Sequence, residues 1–144
     1  METETSPSYI GLKKVIDELA ARIDAPVSML PDYETSSDFA HPHIEIGYLG
    51  IMSFVIVERG LELERKSTRD LDELLYWVFS GITFEMAIKY ELSVRKDNMD
   101  FRRIVFAWQE TLLGILSQDW RLKEAEEHRL ILQKYPFNDN SLGS

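Results

Sequence analysis

The residues best suited to acid–base or metal chemistry are three histidines, at positions 41, 43 and 128. His41-Pro42-His43 sets two imidazoles in alternation, which would place both on one side of an extended segment. A zinc centre draws three or four ligands from Cys, His and carboxylates; with no cysteine in the chain, His128 is the single further imidazole. His41 or His43 beside a carboxylate could also serve as a general base, which defines a small-enzyme reading. Two histidines flanking a proline at the start of a strand more commonly serve as loop residues. The sequence contains no H-E-x-x-H pair, no glycine-rich phosphate loop and no G-x-S-x-G elbow. The expectation is a chain with no catalytic residues, no metal and no cofactor.

The remaining charged and aromatic residues have structural explanations. Glu85 and Glu110 sit on strongly apolar segments, so each must lie at a polar edge or be paired. Arg102-Arg103 falls just inside a helix start, where the dipole disfavours cations. An ion pair with an acid of the preceding helix or of the Glu58-Arg59 turn would offset that cost, and Glu58, Arg59, Asp70, Asp72, Arg102 and Arg103 could form one network. Trp77, Trp108 and Trp120, with Phe79, Phe84 and Phe101, are expected to be core.

These residues must be positioned by one domain spanning residues 1–144, with flexible ends at 1–7 and 138–144. Ser8 caps an amphipathic helix carrying Tyr9, Leu12, Ile16, Leu19 and Ile23 on one face, and Pro26 stops it. Three β-prone runs follow, from His43 to Tyr48, Met52 to Glu58 and Leu61 to Arg65, with Leu49-Gly50 and Arg59-Gly60 as tight turns. They predict a three-stranded antiparallel meander, with Glu62 and Glu64 on one face of its last strand. The stretch Leu71–Leu92 is apolar on most of its circumference and leaves Glu73, Tyr76, Ser80 and Thr83 for water, which predicts a central core helix. Two more helices follow, one carrying Phe101, Ile104, Val105, Trp108, Leu112 and Ile115, the other running from Gln118 to Tyr135. In that last helix the charged run Arg121, Lys123, Glu124, Glu126, Glu127 and Arg129 reads as a solvated face. Strands and helices are segregated along the chain, which places the fold in the α+β class.

Net charge is −9, from 25 acids against 16 bases. Such a surface repels phosphate backbones and favours encounter with a basic protein, while also serving plain solubility. No apolar run reaches the ~20 residues of a membrane span, and the N-terminus METETSPS is acidic, so a cytoplasmic protein with no membrane and no direct nucleic-acid contact is expected. Between Asp24 and Pro42 lies a long connection holding Asp24, Asp32, Glu34 and Asp38 without Lys or Arg, with Tyr33 and Phe39 interleaved. It reads either as a solvated loop or as a partner-facing surface that joins negative charge to aromatic anchors.

An ordered series runs through the second half of the chain: Glu58-Arg59-Gly60, Glu62, Glu64-Arg65, Thr68, Asp70 to Phe79, Thr83-Phe84, Tyr90-Glu91, Arg95, Asp100 to Arg103, Gln109-Glu110, Trp120, Ile131-Leu132, Pro136-Phe137 and Asp139. Over about residues 43–140 this resembles the immunity-protein-63 family of bacterial polymorphic-toxin and contact-dependent growth inhibition systems. The resemblance implies a non-catalytic protein that binds and neutralises a cognate toxin C-terminal domain. The acidic surface would suit a toxin with a basic groove, such as a nuclease. Exposure and charge nominate Asp32, Tyr33, Glu34, Asp38 and Phe39 as the partner-binding residues, followed by Glu62 and Glu64. The alternatives are an adaptor or structural subunit docking through the first helix, and the small His/carboxylate enzyme; the chain itself is expected to be a monomer or a weak homodimer.

Overall fold

The computed structural model describes residues 7–140. The chain falls into two compact units, Met1–Val78 and Phe79–Ser144. Of the ends expected to be flexible, residues 1–6 and 141–144 lie outside the described residues. Asn138 and Asp139 are tied down: the Asn138 amide donates to Asp100, and Asp139 accepts from Arg103.

The first unit opens with helix α1 (Tyr9–Arg22). The Ser8 hydroxyl accepts from the Gly11 amide at 3.0 Å, satisfying one of the orphan donors of the first turn. Leu12, Ile16 and Ala20 form its buried stripe. A 3-10 turn at Val27–Met29 leads to strand β1 (Asp32–Tyr33), then β2 (His43–Ile46), β3 (Met52–Glu58) and β4 (Leu61–Thr68). The sheet order is β1-β2-β3-β4, with β1 parallel to β2 and the other pairs antiparallel. The fold is α+β, but the sheet has four strands where the sequence pattern predicts three. The added strand is two residues long and is made by backbone pairing alone, with the Asp32 amide donating to Pro42 and the Glu34 amide to Ile44.

The core of this unit forms where β3 pairs on both edges. Met52, Ser53, Phe54 and Val55 are all buried, against Ile44 on β2. At Arg59-Gly60 both residues have positive φ, the conformation that a two-residue hairpin turn requires. Between Ile56 and Val57 the register shifts: Ile56 faces Glu64 while Val57 faces Glu62, leaving Leu63 as an extra residue. This bulge overturns the expected alternation. Glu62 comes to share a face with Arg65 and Glu45, and Glu64 lies on the other face with Lys66.

Helix α2 (Leu71–Val94) crosses from the first unit into the second. Its solvent pattern differs from the expected one: Tyr76 and Thr83 are buried, whereas Leu71, Phe84 and Leu92 are exposed. Thr83 can be buried because its hydroxyl donates to the Phe79 carbonyl within the same helix.

The second unit adds α3 (Arg102–Leu116) and α4 (Gln118–Lys134) to the later turns of α2. Asp100 caps α3 by accepting from the Arg102 amide, and Ser117 caps α4 through the Trp120 amide. Of the six expected core aromatics, Phe79 and Trp120 are buried and stack with ring centroids 6.1 Å apart. Trp77 and Trp108 are half-buried; Phe84 and Phe101 are exposed, which removes them from the core. Arg102 and Arg103 find their acids in Asp100 and Asp139, not in α2 or the Glu58-Arg59 turn. The chain folds back to satisfy them: Arg102 also donates to the carbonyls of Tyr135 and Pro136.

Two consequences can be measured. Phe79→Ala should lower stability by about 3–5 kcal/mol in urea unfolding, while Phe84→Ala should cost under ~1 kcal/mol. The Arg102 guanidinium, followed by the Asn138 and Arg102 amides, holds the Asp100 carboxyl well below its ordinary value. A depressed folded value stabilises the chain above the unfolded value of 3.8, and that stabilisation is lost as pH falls below it. Asp100→Asn should therefore flatten the acid limb of a stability–pH profile; an unchanged limb would show that Asp100 is not the responsible group.

Candidate partner-binding surface

The acidic connection and the β3–β4 turn, separate in sequence, meet at one end of the sheet. Phe39 forms an antiparallel bridge with Glu58, and the Ala40 amide donates to the Val57 carbonyl at 3.0 Å. The Asp38 carboxylate accepts from the Gly60 amide at 2.9 Å, so the loop clasps the hairpin turn. Glu58 in turn faces Leu61, which lines up Phe39 of the loop, Glu58 of β3 and Leu61 of β4 as neighbours in one row. Phe39 is 85% exposed and Leu61 68%. An aromatic and an aliphatic side chain this open, on either side of a carboxylate, have the makings of anchors for a protein partner.

The loop holds this shape against local preference. Glu34, Asp38 and Ala40 all have positive φ, at 77°, 63° and 58°. Such conformations cost non-glycine residues of order 1 kcal/mol or more, and persist where surrounding contacts over-determine them. Here those contacts are the Glu34 amide to Ile44, the Ala40 amide to Val57 and the Asp38 side chain to Gly60.

One face of the sheet carries a chain of charges. The buried His43 ring pairs with Glu45 at 2.8 Å, Glu45 accepts from Arg65 at 3.0 Å, and Arg65 makes a two-point contact with Glu62. The His43 ring N–H, then the Arg65 guanidinium, hold the Glu45 carboxyl below its ordinary value; Arg65 does the same for Glu62. Arg65 is itself shifted further upward by both acids, Glu62 first. On the other face Lys66 pairs with Glu64 at 3.3 Å and lies over the rings of Phe54 and Trp77, at 5.6 and 5.1 Å.

The nominated residues therefore divide. Asp38 and Phe39 join the β3–β4 turn, and Glu34 is exposed in the same loop. Glu62 and Glu64 belong to opposite faces of β4. Asp32 and Tyr33 are half-buried in β1, with no described group reaching the Tyr33 hydroxyl. The histidines of the His41-Pro42-His43 run separate, His41 donating to the Leu30 carbonyl and His43 pairing with Glu45. Among the described residues no three His, Asp or Glu side chains cluster as metal ligands, and no helix is long and apolar enough to cross a membrane.

The second unit holds a polar network that the sequence pattern hides. His128 is buried on α4, its Nδ1 2.7 Å from Glu110 and its Nε2 2.9 Å from Gln109, with Phe106 stacked at 3.9 Å. Gln109 donates to the Ser80 carbonyl, and Ser80 donates to Glu124 at 2.6 Å. Glu124 is thus buried, not part of a solvated face. The available signal was the spacing Trp120, Glu124, His128, one buried residue per turn. An open groove of ≈ 410 Å³ runs past this network, bordered by Arg103, Phe106, Glu110, His128, Leu132 and Phe137.

Burial, then the charge of Asp17, pushes the Tyr33 hydroxyl up to about 12. A raised folded value stabilises the chain fully below the ordinary value of 10.0, and that contribution disappears as pH rises toward 12. Tyr33→Phe should remove this alkaline loss and, by relieving a buried unpartnered hydroxyl, raise stability by roughly 1 kcal/mol at neutral pH. A drop in stability would show instead that the hydroxyl has a hydrogen-bond partner.

Comparison with curated proteins and with solved structures gave no match. The sequence profile of Immunity protein 63 matches residues 49–130, more than half of the chain. The match takes in β3, β4, α2 and α3 and most of α4, and leaves out α1 and the acidic loop. The residues of the hairpin and of the helices that follow it carry that profile, and the chain belongs to the Immunity protein 63 family.

Proposed function

We propose that this chain neutralises one cognate toxin C-terminal domain by binding it, without turnover, in the cytoplasm of the strain that makes both. Toxin neutralisation is what membership of an immunity family suggests. The observation that carries the choice of surface is the convergence of the acidic loop with the β3–β4 turn. It sets exposed Phe39 and Leu61 beside Asp38 and Glu58, with Glu34 further along the same loop. Acids around apolar anchors steer a cationic protein and then hold it by a few desolvated contacts. A net charge of −9 favours a basic toxin, and a nuclease groove built to take phosphates has that charge. On this reading the immunity protein competes with nucleic acid for the groove.

The reading predicts the partner's gene: a large secreted protein encoded immediately upstream, as in contact-dependent growth inhibition, whose C-terminal domain is the toxin. Co-expression should allow cells to survive that domain, and the two purified chains should co-elute. Reversing Glu34 and Asp38 to lysine should slow association about ten-fold or more at low salt and flatten its salt dependence. Phe39→Ala should mainly speed dissociation. Equal killing with and without the chain would refute the function. Survival with unchanged kinetics for all three substitutions would move the interface elsewhere.

A further inference from the structure

We infer that Asp38 is a positioning residue for the partner-binding surface: its carboxylate fixes Phe39, and Asp38 strengthens the complex through Phe39 more than through its own charge. This rests on the toxin-binding reading above and divides the work between Asp38 and Glu34, the two exposed acids of the loop.

Phe39 cannot place itself. Its ring is 85% exposed, so packing against its own chain gives it little hold. Toward Ala40 the backbone is fixed by the bridge to Glu58 and by the Ala40 amide on the Val57 carbonyl. Toward the acidic loop the tie is a side chain: the Asp38 carboxylate accepts from the Gly60 amide at 2.9 Å, while the Asp38 amide donates to the Ser36 hydroxyl at 2.8 Å. Asp38 also sits at φ 63°, a left-handed conformation that Asp and Asn tolerate better than other residues with a Cβ. This position therefore calls for a short side chain with an acceptor oxygen, and neither requirement depends on a negative charge.

Glu34 is built differently. Its backbone amide makes its tie to the sheet, on the Ile44 carbonyl at 2.8 Å, and its side chain is exposed. The Glu34 carboxylate therefore adds to the field that an approaching cation feels, without holding the loop in shape. Two acids of one loop, alike in charge, should then differ in how salt alters the effect of replacing them.

The test is the affinity of the full-length chain for the C-terminal domain encoded upstream, at low salt and at about 0.5 M salt, where charges are screened beyond roughly 4 Å. Asp38→Asn keeps the acceptor oxygen and the left-handed backbone but loses the charge, and at high salt it should bind like the parent chain. Asp38→Ala and Asp38→Gly both lose the acceptor, the first straining the backbone and the second relaxing it. Each should bind about five- to ten-fold more weakly at both salts, because the loop then holds Phe39 in place only part of the time. In a Phe39→Ala chain the same two substitutions should add less than about two-fold, since the group they release is gone. Glu34→Gln should weaken binding at low salt only. In the free chain the Gly60 amide should exchange several-fold faster in Asp38→Gly than in Asp38→Asn. The positioning role is overturned, with the immunity function left standing, if Asp38→Asn at high salt loses as much as the other two, if only one of Asp38→Ala and Asp38→Gly loses affinity, if their losses add in full to that of Phe39→Ala, or if Gly60 exchanges equally in both variants. Full affinity in Phe39→Ala overturns it together with the choice of surface. If no complex forms, both readings fall.

Discussion

Strand β3 is hydrogen-bonded along both of its edges, and the first unit is built around that double pairing. Met52 to Val55 are buried on both faces, so the strand can be neither an edge nor a surface ribbon. Each apolar side chain taken out of water there contributes of order 1.5–3 kcal/mol, enough to fix the register of both neighbours. Toward Glu58 the burial fades, and the sheet ends in an exposed turn. A rigid buried root and an open tip are thus two ends of one strand. That gradient places a strained loop and a hairpin turn side by side without leaving either to move freely.

The strain of that loop and the order of its partner are complementary costs. Three non-glycine residues in the left-handed region would each favour another conformation if the loop stood alone. Their hydrogen bonds to β2, β3 and the turn set them in place before any partner arrives. A surface ordered in advance loses less entropy on association than one that must fold onto its target. In the second unit the same logic is applied to buried charge. His128, Glu110, Gln109, Ser80 and Glu124 satisfy one another, so that a helix with a highly charged sequence can still bury one side.

Much of this architecture was legible where a side chain's type and its periodic position agree. Ser8 capping α1 is such a case, as is the Arg59-Gly60 turn, because both depend on contacts a few residues away. β1 was not legible: two residues carry no alternation, and their pairing is a property of the backbone around Pro42 and Ile44. The faces of β4 were misread because an alternating pattern assumes an unbroken ladder, and Leu63 breaks it. On α2, hydrophobicity ranks Phe84 above Thr83 for burial, yet Thr83 is inside because its own helix satisfies the hydroxyl. Of the candidate surface, the acids and aromatics could be named in advance. Their meeting with the hairpin turn could not, since it depends on a carboxylate capping an amide 22 residues away.

The supernumerary Leu63 also bears on how such a protein could change its allegiance. Gain of a single codon in β3 between Ile56 and Val57 would give Leu63 an opposite number, restore an unbroken ladder and turn Glu62 with Leu61 to the reverse sides of the sheet, while the buried root at Met52–Val55 kept its pairing. One short insertion would thereby rewrite the display of an entire hairpin end, with little disturbance to what keeps the chain folded.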